Sequence, residues 1–311
     1  MHATTNIPVF FATDDNYAPY LGVAIHSLTE NLASDSVCTI NVLTAGLSAF
    51  NRSALRRSVK GRSTINFIDV SDKVKALADR LHLRDYYTKA TYYRFFIADL
   101  FPEYDKALYL DCDIIITGDI TELYNTPLGG KLVGAIQDEL IQKVNIFGKY
   151  SENVLGIPRT KYFNAGVLVM NLAEFRRRHI EEEFVRLLGI RKFDVAQDQD
   201  YLNILCYGNT VPVGIEWNKN PFINPAYDHS KTPKLVHYKI NWRPWHHRGI
   251  MYEDIFWSYA ERNVYYRRIN KVLRAYTDEE RLRDKKGYDN LVLLAARQSL
   301  NAKVTYVMNR A

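Results

Sequence analysis

The sequence predicts an α/β fold with a mostly parallel central sheet flanked by helices and a helical C-terminal extension. Three observations predict it. Apolar segments of strand length recur at residues 7–13, 39–43 and 65–70. Between them lie segments with helical apolar spacing, such as Leu21, Ala24, Ile25, Leu28 and Leu32; strand–helix–strand alternation is the signature of a parallel sheet. Last, residues 107–116 form an apolar run broken by two acids, Asp111 and Asp113, one residue apart. A run of this kind reads as a buried strand.

Composition sets the limits. The chain has 311 residues, ample for a sizeable core. At about 100–200 residues per domain, it accommodates one large or two small domains. A hydrophobic content of 47% and a charged content of 24% exclude bulk disorder. No apolar run approaches the roughly 18–20 residues of a membrane span. The first residues lack a basic region and a long apolar core, so no secretory signal is expected. Cys38, Cys112 and Cys206 are scattered and odd in number, giving neither metal spacing nor a disulfide framework. A reducing, cytoplasmic setting is expected. The net charge of +6 admits anionic partners: nucleotides, nucleic acid or acidic lipid.

The elements follow in order. The first strand ends in Asp14, Asp15, Asn16 and Tyr17, a polar turn before the first helix. In open α/β sheets ligands bind just beyond the carboxyl ends of strands. Helix capping explains such acids equally well. No glycine-rich phosphate fingerprint is present, which argues against a standard dinucleotide or P-loop site. A surface helix is expected over residues 47–59, and a helix apolar nearly all round over residues 86–100. Arg94 lies inside the latter and needs an anionic partner. Asp99 or Asp111 could supply it internally, or a ligand could.

Asp111 and Asp113 then interrupt the apolar run. Two carboxylates there are costly unless neutralised. A divalent cation at a strand end would do so; solvated turn residues would also be acceptable. A short strand ends near Asp138, and residues 139–160 read as an irregular or mobile segment, a lid over the site. Asn164, Ala165 and Gly166 open the next strand, where a ligand can approach the backbone closely. A charged helix is expected over residues 175–188. Gln197, Asp198, Gln199 and Asp200 open another; capping accounts for the acids there but not for the glutamines. A last strand covers residues 235–238 and includes His237, with Arg243 shortly after it.

A soft boundary falls near Trp257, dividing the chain into a body over residues 1–256 and an extension over residues 257–311. The extension is basic and amphipathic. It is expected either to lie on an anionic membrane surface or to cap the core with a solvated basic face.

Taken together, these motifs resemble the family 8 retaining glycosyltransferases, the group of bacterial lipopolysaccharide galactosyl- and glucosyltransferases and of glycogenin. The resemblance runs through residues 11–17, 91–94, 109–113, 162–166 and 197–200, and more loosely through residues 237–245. It implies a GT-A catalytic domain over residues 1–256, with a donor-binding half over about residues 1–120 and an acceptor half over about residues 121–256, a UDP-sugar donor and Mn²⁺, with Mg²⁺ as the alternative. It implies Asp111, Asp113 and His237 as metal ligands; two carboxylates and an imidazole suit Mn²⁺ better than Ca²⁺ or structural Zn²⁺. It implies Ala12, Asp14, Asn16 and Tyr17 as uridine and ribose contacts. Arg94, Asp138, Asn164, Ala165, Gly166, Asp198 and Gln199 are implied as the donor-sugar shell, with Gln199, Asp198 and Arg94 nearest the chemistry. Arg243 stands where the family usually has Lys. The family commonly has Gly two or three residues after the histidine, where Lys239, Ile240, Asn241 and Trp242 stand here.

The implied reaction moves galactose or glucose to a carbohydrate, glycolipid or glycoprotein acceptor. The tail also resembles family members whose basic, aromatic C-terminus attaches to the inner membrane face, but tails vary too much for this to be carried over; peripheral contact with an anionic membrane is one expectation for it. A UDP-sugar hydrolase using the same acids is the alternative enzyme. A nucleic-acid binder using the basic tail is the alternative of another class, but no RRM, KH or helix-turn-helix pattern is present.

Overall fold

The computed structural model describes residues 5–77, 89–221, 233–302 and 305–307. Seven strands form the central sheet: β1 (Thr5–Ala12), β2 (Ser36–Thr44), β3 (Thr64–Asp69), β4 (Lys106–Leu110), β6 (Val133–Gln137), β7 (Phe163–Asn171) and β8 (Thr210–Pro212). Two more, β5 (Ile114–Ile116) and β9 (Leu235–His237), pair as a separate antiparallel ribbon. The sheet order is β3-β2-β1-β4-β7-β6-β8. Pairs β1–β2, β2–β3, β1–β4 and β6–β8 are parallel, whereas β7 runs antiparallel to both β4 and β6.

Alternation along the strands fills two cores. Ile7, Val9 and Phe11 join one apolar cluster with Leu108, Leu110, Val167 and Val169. Phe10 joins the other with Ala107, Tyr109, Leu168 and Met170. Both faces of the sheet are covered by helices, which explains the nearly continuous apolar runs. Each fully buried Val, Ile, Leu or Phe contributes about 1.5–3 kcal/mol.

Helix Ala18–Glu30 lies against the chain beyond residue 260. A side chain at Gly22 would meet the Tyr265 ring at 2.5 Å. Asn263 Nδ2 donates to the Gly22 carbonyl at 2.9 Å, and the Tyr265 hydroxyl donates to Asn51. Ile269 and Leu273 of helix Tyr266–Ala275 are buried in the same cluster.

Three segments differ from the sequence expectation. Residues 139–160 are mainly helical: Glu139–Lys143 and Asn145–Tyr150, then the wider turn Ser151–Leu155. Phe147, Tyr150, Val154 and Leu155 are buried there, so apolar anchors at uneven spacing hold short helices that a periodicity search passes over. The expected helix over residues 86–100 is a 3₁₀ helix, Lys89–Phe96, followed by one α-turn, Ile97–Leu100; residues 86–88 lie outside the described residues. The charged helix is two, Leu172–Arg177 and Ile180–Ile190, broken at His179 with φ of 53°.

Candidate active site

Strand direction builds the site. β1, β4 and β6 all end on the same edge of the sheet, and β7, running the other way, begins there. The excursion through helices 139–143 and 145–150 returns the chain to that edge, which is why β7 is antiparallel. Ala12 and Asp14 therefore follow β1, Asp111 follows β4, Asp138 follows β6, and Asn164-Ala165-Gly166 open β7.

The apolar run of residues 107–116 is two strands in two sheets. The chain leaves the main sheet at Asp111, whose N–H still donates to the Gly166 carbonyl at 2.8 Å. It joins the ribbon at Ile114, opposite His237. Tyr238 N–H donates to the Asp113 carbonyl at 2.8 Å. This pairing brings His237 to the acids: its Nε2 lies 3.2 Å from Asp113 Oδ1 and 3.7 Å from Asp111 Oδ2. One ligand atom from each of the three residues falls within 4.8 Å of the others.

The geometry fits a divalent cation. His237 Nδ1 is 3.0 Å from Asn218 Oδ1, and Asn218 Nδ2 in turn donates to Asn164 Oδ1 at 2.8 Å. Asn218 thus accepts from Nδ1–H, which leaves the Nε2 lone pair facing the carboxylates. Such an outer partner is the usual means of orienting a ligating imidazole. Burial opposes ionisation of Asp113, but the charge and hydrogen bond of His237 in its protonated form, and then Arg243, outweigh it and hold its carboxyl below the ordinary value; a cation at Nε2 would take that proton's place. Gly166 keeps the space open, since a Cβ there would lie 2.4 Å from His237 Cε1 and 2.5 Å from Asp111 Oδ2.

Arg94 is 3% exposed and locked. Its guanidinium donates to Asp111 Oδ1 at 3.1 Å, pairs with Asp198 Oδ2 at 3.3 Å, and donates to the carbonyls of Thr91 and Ala165. It lies 4.2 Å above the Tyr109 ring. Its internal carboxylate partner is Asp111, with Asp198 as the second. Buried Asp198 has its pKa pushed up to about 6, burial outweighing the opposing charge of Arg94.

The glutamine-rich turn is strained at Gln197, where φ is 47°. A side chain held in such a region costs about 1–3 kcal/mol. The turn delivers Asp198 and Gln199 into the cavity at the start of helix Asp198–Leu205. Gln199 Oε1 accepts from Asn164 Nδ2 and Ala165 N–H, both at 3.0 Å; its Nε2 faces Asp138 Oδ2 at 3.4 Å and the Tyr162 hydroxyl at 3.3 Å. Both carbonyl lone pairs are thus occupied by protein donors. Asp138 also pairs with Lys239 Nζ at 3.0 Å. Burial raises the Asp138 pKa, but Lys239 and hydrogen bonds from Ile141 and Asn164 bring it below the ordinary value.

One cavity is lined by Ala12, Asp14, Tyr17, Arg94, Asp111, Asp113, Asp138, Asn164, Ala165, Gly166, Asp198, Gln199, His237 and Arg243. Of the site residues that the family resemblance implies, Asn16 alone is not brought to its lining; it is exposed, and its N–H donates to Asp14 Oδ1 at 2.9 Å. The same Asp14 oxygen accepts from Tyr17 N–H at 2.9 Å, so Asp14 caps the turn as well as lining the cavity. Asn218 escaped the sequence reading, and Lys239 and Tyr109, though inside the motifs, were given no role there. Tyr109 had a signal: it lies two residues before Asp111 on a strand, hence on the same face, and its hydroxyl donates to Asp111 Oδ1 at 3.1 Å. Asn218 had none.

A sheet edge carrying a nucleotide-type turn, a paired-aspartate motif and an antiparallel β7 is a GT-A glycosyltransferase arrangement, and solved structures of that fold superpose on it. Galactosyltransferase LgtC, solved in complex with donor and acceptor sugar analogues, matches with a TM-score of 0.69 and 30% identity, covering 83% of this chain and 96% of that one. The bifunctional glycosyltransferase WbbM matches with a TM-score of 0.76 and 25% identity, over 87% of this chain and 52% of that one. The chain belongs to glycosyl transferase family 8, whose model matches residues 8–249. Among curated relatives, general stress protein A of Bacillus subtilis is 26% identical over 75% of this chain and 85% of its own length. Lipopolysaccharide glucosyltransferase WaaO of Escherichia coli is 28% identical over 81% of this chain and 74% of its own. This protein is therefore a glycosyltransferase with a DxD-type pair, Asp111 and Asp113. Among the described residues, no helix is long and apolar enough to cross a membrane.

Proposed function

We propose that this glycosyltransferase moves galactose or glucose from a UDP-sugar to a glycan or glycolipid acceptor, with retention at the anomeric carbon and with Mn²⁺ held by Asp111, Asp113 and His237. One observation carries the reading. The three candidate ligands meet in one cavity, together with a nucleotide-side turn (Ala12, Asp14, Tyr17) and a polar shell (Asp138, Asn164, Gln199).

When bound, the cation would act as a Lewis acid toward the negative charge of the leaving diphosphate. Arg243, 5% exposed at the cavity wall, adds fixed positive charge beside Asp113. Arg94 holds Asp111 and Asp198 in place against their mutual repulsion. Gln199 and Asn164 hold each other and Asp138, so the sugar hydroxyls meet preset donors and acceptors rather than water. Gln199 is neutral and is not a nucleophile; with its carbonyl held by Asn164 and Ala165 it fixes the shell around the donor sugar, and that carbonyl would face the anomeric carbon once a bound donor displaces one of those two contacts. Asp198 is engaged by Arg94 rather than free to act as the nucleophile of a retaining hydrolase. An attack on the face from which UDP departs fits these residues best. A cytoplasmic site of action, on the inner membrane face, is the matching setting.

A panel of UDP-sugars, assayed with Mn²⁺, Mg²⁺ and a chelator, tests the proposal. Expected is hexose transfer that needs the cation and returns when the chelator is titrated out. Turnover that persists undiminished in chelator would overturn it. Release of free hexose faster than transfer would favour a hydrolase.

A further inference from the structure

Part of the cavity lining is apolar: Leu140, Ile141, Phe147, Ile240 and Leu291. Leu140 and Ile141 donate their N–H groups to Asp138 Oδ1 at 2.9 and 3.1 Å. Four of the five apolar residues come from the body of the chain, but Leu291 comes from helix Asp278–Asn301, beyond the family match at residues 8–249. That helix packs on Asn145–Tyr150 and Ser151–Leu155. Tyr288 meets the Phe147 ring edge-on at 6.2 Å, and Ala295 is fully buried. Beyond the helix, Tyr306 N–H donates to the Val154 carbonyl at 3.1 Å.

The helix also holds the loop after His237. Asn241 Nδ2 donates to the Asp284 carbonyl at 3.0 Å. Asp284 Oδ2 accepts from the Tyr276 hydroxyl at 2.7 Å and lies 3.8 Å from both His246 Nδ1 and His247 Nε2. The His246 ring stacks on Tyr276 with centroids 3.9 Å apart. Ile240, inside this loop, has φ of 59°, a conformation that a β-branched residue adopts only under strain. The loop is thus pressed from behind, with Ile240 and Lys239 facing the cavity.

Position along the sheet edge tells which substrate meets this wall. Ala12 and Asp14 lie at the end of β1, whereas Leu140, Ile141 and Phe147 follow β6, three strands away. The wall therefore lies past the sugar shell, on the side away from the nucleotide turn. Aliphatic side chains offer no hydrogen bonds to a second sugar ring, but they exclude water from hydrocarbon.

We infer that Leu291 is a specificity-determining residue of the acceptor subsite, which takes an acceptor carrying a hydrocarbon group next to its sugar. The inference rests on the proposed transferase reading and names its acceptor class. Helix Asp278–Asn301 is then a working wall of the site.

The test uses the full chain with Mn²⁺ and UDP, titrated with methyl and n-octyl β-glucosides and β-galactosides below micelle formation. Expected is octyl glycoside binding at least about tenfold tighter than methyl, since several buried methylenes each add to affinity. Leu291→Gln should shrink that preference to about twofold, Leu291→Met should retain it, and Leu293→Gln, on the exposed side of the same helix, should leave it unchanged. Binding of UDP should not change in any variant. Equal binding of methyl and octyl glycosides, or an octyl preference that survives Leu291→Gln, would overturn the inference. A loss of UDP binding or of hexose transfer in the unaltered chain would instead count against the transferase reading.

Discussion

Gly166 and His237 compete for one volume: a methyl group on the glycine would lie 2.4 Å from the imidazole Cε1. The backbone of β7 is therefore part of the candidate metal site. Gly166→Ala should fold, because its strand conformation suits any residue, yet it should push His237 or Asp111 aside. A misplacement of about 1 Å can cost on the order of 100-fold. We expect transfer to fall by that factor and Mn²⁺ affinity with it, read by calorimetric titration. Unchanged Mn²⁺ affinity would show that the triad is not the cation site.

Asn218 fixes the imidazole tautomer through Nδ1 at 3.0 Å. Asn218→Ala should weaken Mn²⁺ binding by about 10–100-fold, the usual effect of removing such a partner. Turnover should recover at high Mn²⁺, because the three ligands remain. A kinetic defect that excess cation fails to rescue would point to a different role.

Arg94 is buried between Asp111 and Asp198. Removing it leaves two carboxylates without their cation. Arg94→Ala should cost about 3–5 kcal/mol in urea unfolding. Adding Asp198→Asn should restore part of that loss, since the pair is coupled. Strictly additive losses would mean that the two do not interact in solution.

Asp200 accepts from the hydroxyls of Tyr150 and Tyr162 at 2.8 and 2.7 Å, yet burial pushes its pKa from 3.8 up to about 6. A folded-state pKa above the unfolded one means stability that is full below pH 3.8 and is lost as pH rises through about 6. The stability of the natural chain minus that of Asp200→Asn should therefore decline between pH 4 and about 6, and level off above. Urea midpoints of both proteins across that range measure it. A difference that grows with pH would place the folded pKa below the unfolded one.

Gln199 ties Asn164, Ala165 and Asp138 together. Gln199→Ala should lower kcat by about 100-fold, as for the loss of a preset dipole, while UDP affinity stays the same. Undiminished turnover would remove Gln199 from the chemistry.

Much of this protein was written locally. Strand periodicity placed β1 to β4 and β7, because burial on both faces demands unbroken apolar runs. The Asp111–Asp113 pair, the Asn164–Gly166 opening and the glutamine turn stood out because polar groups inside apolar runs need a partner. Local pattern does not encode strand direction or distant pairing. Whether β7 runs antiparallel is decided by where the helices over residues 139–155 return the chain. That His237 meets Asp113 depends on Ile114 pairing opposite His237, and Asn218 joins them only through the ribbon's neighbouring turn. Leu291 reaches the cavity because helix Asp278–Asn301 packs on Phe147, a contact set by shape complementarity between segments far apart in the chain. The sequence alone marked most of the side chains that are candidates for the chemistry, since that follows from side-chain type and local pattern. Only the tertiary structure decided which of them meet, since that follows from the packing of the whole chain.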